Sequence, residues 1–126
     1  MIIVDASAIV DALLGREVVA MRLRQHELHA PVTIDAEVLH SLLNNIWREK
    51  LTHEAAGYAV RAFRAISIER HPVQHLVERM WALRHNITAY DAGYVALAES
   101  MNVPLLTRDG RLSRASGHAA RIEYIE

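Results

Sequence analysis

The chain alternates between short, uninterrupted apolar runs and longer stretches in which apolar positions recur every three or four residues. The short runs suit strands buried on both faces, and the longer spacing suits amphipathic helices. Ile2, Ile3 and Val4 form the first run, which ends at Asp5. Residues 6–14 fit a helix stopped by Gly15, and residues 18–26 fit a second. Pro31-Val32-Thr33-Ile34 reads as extended or turn-like. A third helix follows, with Leu39, Leu42, Leu43 and Ile46 predicted to share one core-facing stripe. Ala59, Ala62, Phe63 and Ile66 mark the stripe of a fourth. Residues 67–70 fit a short strand ahead of a helix that starts at Pro72 and carries Val73, Leu76, Val77 and Met80. Residues 90–101 are again helical, 103–107 fit a strand, Asp109-Gly110 a turn, and 122–125 a last strand. Strands alternating with helices predict an α/β domain with a parallel sheet.

Composition narrows the chemistry more than the fold. A chain of 126 residues fits one domain spanning 1–126, and its charged fraction of 23% argues against disorder. Cysteine is absent, which excludes disulfides and thiolate metal sites, so any metal must be held by oxygen or imidazole. The opening MIIVDAS lacks a basic leader, and no segment approaches the roughly 20 apolar residues of a membrane span. The expected setting is therefore the cytoplasm, without a membrane partner. The net charge of -1 does not announce a nucleic-acid binder. Yet Lys50 is the only lysine, and the arginines that replace it elsewhere grip phosphate in a bidentate way. Codon preference in the source genome would produce the same bias. No Gly-rich phosphate loop is present, which argues against nucleotide-driven chemistry. The eight histidines show no zinc-ligand spacing and are expected on surfaces and helix faces. Trp47, Tyr58, Phe63 and Trp81 are expected as core or dimer contacts.

Four acids stand out by position. In open α/β sheets ligands bind beyond the carboxyl ends of the strands. Asp5 follows the first strand directly, and Asp109 lies just past the strand that ends near Thr107. Asp91 and Glu37 fall at helix starts. Each has an ordinary explanation: Asp5 as a helix N-cap, Asp109 as a turn former, Asp91 as a first-turn acid, Glu37 as an exposed helix residue. Gathered together, however, four carboxylates repel unless a cation joins them, and carboxylates are the hard ligands of magnesium and manganese. Glu37 also shares a helix face with His40, Ser41, Asn44 and Arg48. That face is either a solvated surface or the polar wall of a phosphate-binding cleft.

The order of the segments carries a resemblance. IIVDASAIVDALL, PVTIDAEVLHSL, ITAYDAGYVALAES and PLLTRDGRL occur in the sequence in that order and span nearly the whole chain. In these motifs the chain resembles PIN-domain proteins, and most closely the VapC toxins of bacterial toxin–antitoxin pairs. The resemblance implies a PIN-like parallel sheet of about five strands flanked by helices. It implies an endoribonuclease that cuts cellular RNA by Mg2+- or Mn2+-activated water, with Asp5, Glu37, Asp91 and Asp109 as catalytic metal ligands. It also implies a homodimer and a small cognate antitoxin (VapB-like). The acid that often follows the fourth one in this family is missing, because Gly110 and Arg111 stand there, so a second metal lacks support. Ser7 and Thr107 are expected to orient carboxylates or bound water, and Arg48, Arg108 and Arg111 to contact RNA phosphates. Rival readings are a housekeeping RNA-processing nuclease of the same fold, a non-catalytic PIN binding module, and a phosphoacceptor signalling domain. The last would need a lysine after a late strand, whereas Lys50 lies between helices.

Overall fold

Ile2–Val4 has no polar side chain to present to water, and it forms strand β1, fully buried in the middle of the sheet. The computed structural model describes residues 1–126. Four further strands join it: β2 (Leu28–Pro31), β3 (Ile68–His71), β4 (Leu105–Thr107) and β5 (Ile122–Tyr124). All pairings are parallel, in the order β3-β2-β1-β4-β5, so the α/β parallel-sheet expectation holds. The chain builds outward from β1 through β2 to β3, then returns to the other side of β1 with β4 and β5. The point of reversal lies between β1 and β4, and there the connections diverge to leave a crevice at the strands' carboxyl ends.

Seven helices cover the sheet: α1 (Ala6–Leu13), α2 (Glu17–Arg24), α3 (Ile34–Trp47), α4 (His53–Ala65), α5 (Val77–Ala82), α6 (Ala89–Met101) and α7 (Gly110–Ser113). The first four pack on one another, while α6 lies across β1, β2 and β4 with α5 beside it. Residues 92–98 of α6 are all buried, which its many small side chains permit. Gly93, for example, faces Pro31 of β2 and Met80 of α5. Asn102 in the left-handed region closes α6, as Gly15 does after α1. No helix is long and apolar enough to cross a membrane.

Several elements differ from their sequence patterns for identifiable reasons. The second helix ends at Arg24 rather than at His26, and Leu28–Pro31, of which the sequence pattern marks only Pro31, as extended or turn-like, is a strand. A buried histidine, His29, interrupts its apolar run and hides it. On α3 the core stripe is Ile34, Val38 and Leu42, spaced by four, and Leu39 and Leu43 are exposed. On α4 the buried residues are Ala56, Ala59 and Phe63, and Ala62 is exposed. The helix expected from Pro72 is divided into a 3-10 turn, Gln74–Leu76, and the short α5. Asp109-Gly110 does not reverse the chain; Asp109 caps α7. Of the four large aromatics, only Phe63 is core, at 5% exposure; Trp47, Tyr58 and Trp81 are exposed.

Candidate metal centre at the carboxyl ends of the strands

Asp5 follows β1 and caps α1, so its ordinary explanation is true without being sufficient. Its Oδ1 accepts from the Ala8 backbone N–H at 3.1 Å and from the Ser7 hydroxyl at 2.7 Å. Its Oδ2 accepts from the Thr107 hydroxyl. The two hydroxyls tie the ends of β1 and β4 together, because Ser7 Oγ also accepts from Arg108 N (3.0 Å) and Thr107 Oγ1 from Asp109 N (2.9 Å). Despite three donors, burial pushes the Asp5 carboxyl up to about 6, with Asp91 adding repulsion. A helix cap needs no such burial. The carboxylate is held rigidly where its negative charge is poorly compensated.

The other acids face the same region. Glu37, in the first turn of α3, is half-buried, and its Oε2 accepts from the Tyr94 hydroxyl at 2.8 Å. Burial raises its pKa above the ordinary value, and Asp91 pushes the same way. Asp91 lies in the first turn of α6, whose N-cap Thr88 accepts from the Asp91 backbone N–H at 3.2 Å. Its pKa is raised by burial and then by Asp109, against the opposing pull of Arg111. Asp109 Oδ1 accepts from Arg111 N at 2.9 Å. The chain of repulsions thus runs from Asp5 and Glu37 to Asp91 and on to Asp109. Four oxygen-donor side chains from four elements, three with their charged forms disfavoured, fit a hard divalent cation.

Tyr94 was not singled out by sequence reasoning. Burial pushes its phenol far above the usual value, and Glu37, Asp5 and Asp91 all add to this, which places it among three of the acids. The signal was present: Tyr94 stands three residues after Asp91, on the same face of α6.

Two hollows adjoin the acids. One, of about 740 Å³, lies along α3 and is lined by Ser7, Glu37, His40, Ser41, Asn44 and Tyr90 together with Leu39 and Leu43. The other, of about 390 Å³, is lined by Asp91, Arg84, His85 and Arg111. Of the arginines expected at phosphates, Arg111 is exposed beside Asp91. Arg48 caps the far end of α3 and lines neither hollow. Arg108 is committed inward, its Nε donating to Asp11 Oδ2 at 2.6 Å and its Nη1 to the Ile125 carbonyl at 2.6 Å.

Sequence comparison agrees with this architecture. The sequence matches the PIN domain family over residues 2–118, and the chain belongs to that family. It is 41% identical to Ribonuclease VapC1 of Mycobacterium tuberculosis, across 98% of this chain and 96% of that one. The solved structure of PAE2754 from Pyrobaculum aerophilum shares the fold at a TM-score of 0.72 and 22% identity, covering 96% of this chain and 81% of that one. So does Mycobacterium tuberculosis VapC20, described as a Sarcin-Ricin loop cleaving toxin, at a TM-score of 0.66 and 21% identity, covering 94% and 97%. The resemblance drawn from the four motifs is therefore to the right family.

Proposed function

We propose that this protein is a metal-dependent endoribonuclease acting as the toxin of a VapBC-type pair, in the cytoplasm, on cellular RNA. The observation that carries the reading is the buried Asp5 carboxylate, fixed by Ser7, Thr107 and the Ala8 amide, yet destabilised as an anion with Asp91 nearby. Relatives named ribonucleases at about 41% identity support the substrate class.

Asp5, Glu37, Asp91 and Asp109 would hold Mg2+ or Mn2+, whose charge would promote ionisation of water and offset negative charge on the phosphate oxygens. The protein's own groups prepare this. Ser7 and Thr107 fix both oxygens of Asp5, so the carboxylate meets its ligand without rearrangement. Tyr94 orients Glu37 from the core side. Arg111, exposed next to Asp91, is placed to grip a backbone phosphate; Arg108 instead braces the end of β4.

An antitoxin helix fits the α3–α4 surface. Leu39, Leu43, Trp47 and Tyr58 are exposed there, and the hollow lined by Leu39 and Leu43 reaches Glu37. An amphipathic helix laid along it would cover apolar surface and the acids together. Phe63 lies in the core and takes no part. For a homodimer, Val77 and Trp81, exposed four residues apart on α5, offer adjacent apolar surface.

The test is expression of the chain with and without its neighbouring gene, followed by mapping of 5′ ends in cellular RNA. New, sequence-specific 5′ ends should arise only without the partner, and not with Asp5→Asn. An unchanged map overturns the nuclease reading. Cleavage confined to maturing precursors, with normal growth, would replace the toxin with a housekeeping nuclease. Co-purification with the neighbouring gene product should weaken when Trp47 and Tyr58 are both changed to alanine; undiminished capture would move the antitoxin to another face.

A further inference from the structure

Away from the acids, two strands carry the same three-residue pattern: Glu27-Leu28-His29 entering β2, and Glu69-Arg70-His71 in β3. Alternation along a strand turns the glutamate and histidine of each pattern to one face. The parallel register sets His29 beside Glu69 and Pro31 beside His71. As a result His29 Nδ1 lies 2.8 Å from His71 Nε2 and 3.5 Å from Glu69 Oε2. The three ligand atoms all fall within 4.8 Å of one another.

Glu27 determines what that geometry can bind. Its Oε1 lies 2.8 Å from the other ring nitrogen of His29, Nε2. A carboxylate there accepts the Nε2 proton and leaves Nδ1 with a free lone pair, aimed at His71 and Glu69. This carboxylate–imidazole pairing is the arrangement that orients histidines on bound zinc. His29 is 3% exposed and cannot swing away, whereas Glu69 is open to solvent and provides a path for entry.

We propose that His29 Nδ1, His71 Nε2 and Glu69 form a binding site for Zn2+ or a chemically similar transition-metal ion, with Glu27 as the positioning residue behind His29. Tetrahedral bonds of about 2.0–2.1 Å place ligand atoms roughly 3.3 Å apart, close to the 2.8 and 3.5 Å seen here. The fourth position is left to water. Without the ion, the His71 Nε2–H donates a hydrogen bond to His29 Nδ1; with it, His71 carries that proton on Nδ1 and remains a neutral ligand. Two imidazoles favour zinc, nickel or copper over magnesium, so the site differs in metal preference from the four acids and shares no residue with them. Because β3 is an edge strand, the ion would fasten the edge of the sheet to β2.

Calorimetric titration of the metal-stripped full chain with Zn2+, and with Co2+ followed by visible absorption, tests the site. In excess Mg2+, which occupies the acids, one equivalent should bind with the ligand-field bands of tetrahedral Co2+, and Asp5→Asn should not change those bands. The half-buried His71 and exposed Glu69 are safer to change than His29. His71→Gln should lower Zn2+ affinity by at least about 100-fold, and Glu27→Gln by about 10-fold, with the far-ultraviolet dichroism unchanged. Absence of uptake in the wild-type chain, or equal uptake by His71→Gln and Glu69→Gln, overturns the proposal.

Discussion

At the carboxyl ends of β1 and β4, four carboxylates approach one another with hydroxyls, a phenol and backbone amides as their partners. On β2 and β3, two imidazoles and two carboxylates pair among themselves. Both clusters offer donor atoms to a cation, but the balance differs. A neutral imidazole supplies one donor and one acceptor, so His71, His29 and Glu27 satisfy one another when the site is empty, with Glu69 open to solvent. Carboxylates only accept. The acid cluster keeps an uncompensated charge in a buried place, and its raised pKa values record that. A cation is therefore optional for the strand cluster and strongly favoured by the charge of the acid cluster.

Breaking the acid cluster should have the largest effect. Asp5→Asn or Asp91→Asn is expected to reduce RNA cleavage by roughly 10²–10³-fold, the scale of losing one preorganised electrostatic group. Asparagine caps helices about as well as aspartate, so metal-free stability at neutral pH should hold or rise for Asp5→Asn. Full activity in that variant would remove Asp5 from the ligand set.

The charge imbalance is next, read as stability. The folded Asp5 carboxyl keeps its proton up to about 6, against an ordinary value of 3.8. The folded state therefore binds more protons between these values, and metal-free stability falls as pH rises through that window, by about 3 kcal/mol for a shift of this size. Millimolar Mg2+ should recover the loss, since an occupied site favours the charged form. Thermal melts across the window, with and without Mg2+, check this; parallel curves would contradict it.

Smaller effects sharpen the ranking within the cluster. Asp109 begins a helix of four residues, less firmly held than the end of β1. Asp109→Asn should cost about 10-fold in activity and raise the metal concentration required. Equal, complete loss in all three asparagine variants, not recovered by manganese, would reject the ranking. Tyr94→Phe removes one hydrogen bond to Glu37 and is expected to cost about 5-fold, near 1 kcal/mol. Losing that donor raises the Glu37 pKa further, so the acid limb of the cleavage profile should move to higher pH; an unmoved limb would assign Tyr94 to packing alone.

The parts of the molecule legible in the sequence are those where one residue type does one job. β1 carried an unbroken apolar run, β4 a short one after Pro104, and α6 a long stretch of good helix formers, and Asp5 and Asp109 fell where strand ends predicted. β2 was not legible because a strand buried on both faces held a histidine whose partners lie elsewhere in the chain. The α3 stripe was misassigned because leucines are abundant on both its buried and exposed sides, and only packing distinguishes them. Arg108 looked like a phosphate contact beside Asp109, but the turn aims it at Asp11, 97 residues away in sequence. The Glu-x-His repeat was visible, but nothing local shows that two copies 42 residues apart lie side by side.

The strand order has a consequence for how the protein is made. Asp5 is synthesised 102 residues before its Thr107 partner, which lies on a strand that pairs with β1 only after the intervening elements exist. Contacts of such long sequence separation form late and slowly in folding. A growing chain thus displays Asp5, and later Glu37 and Asp91, without the clasp that sets their geometry. The interval before β4 docks is a built-in delay during which the nascent chain carries its acids without the assembled site.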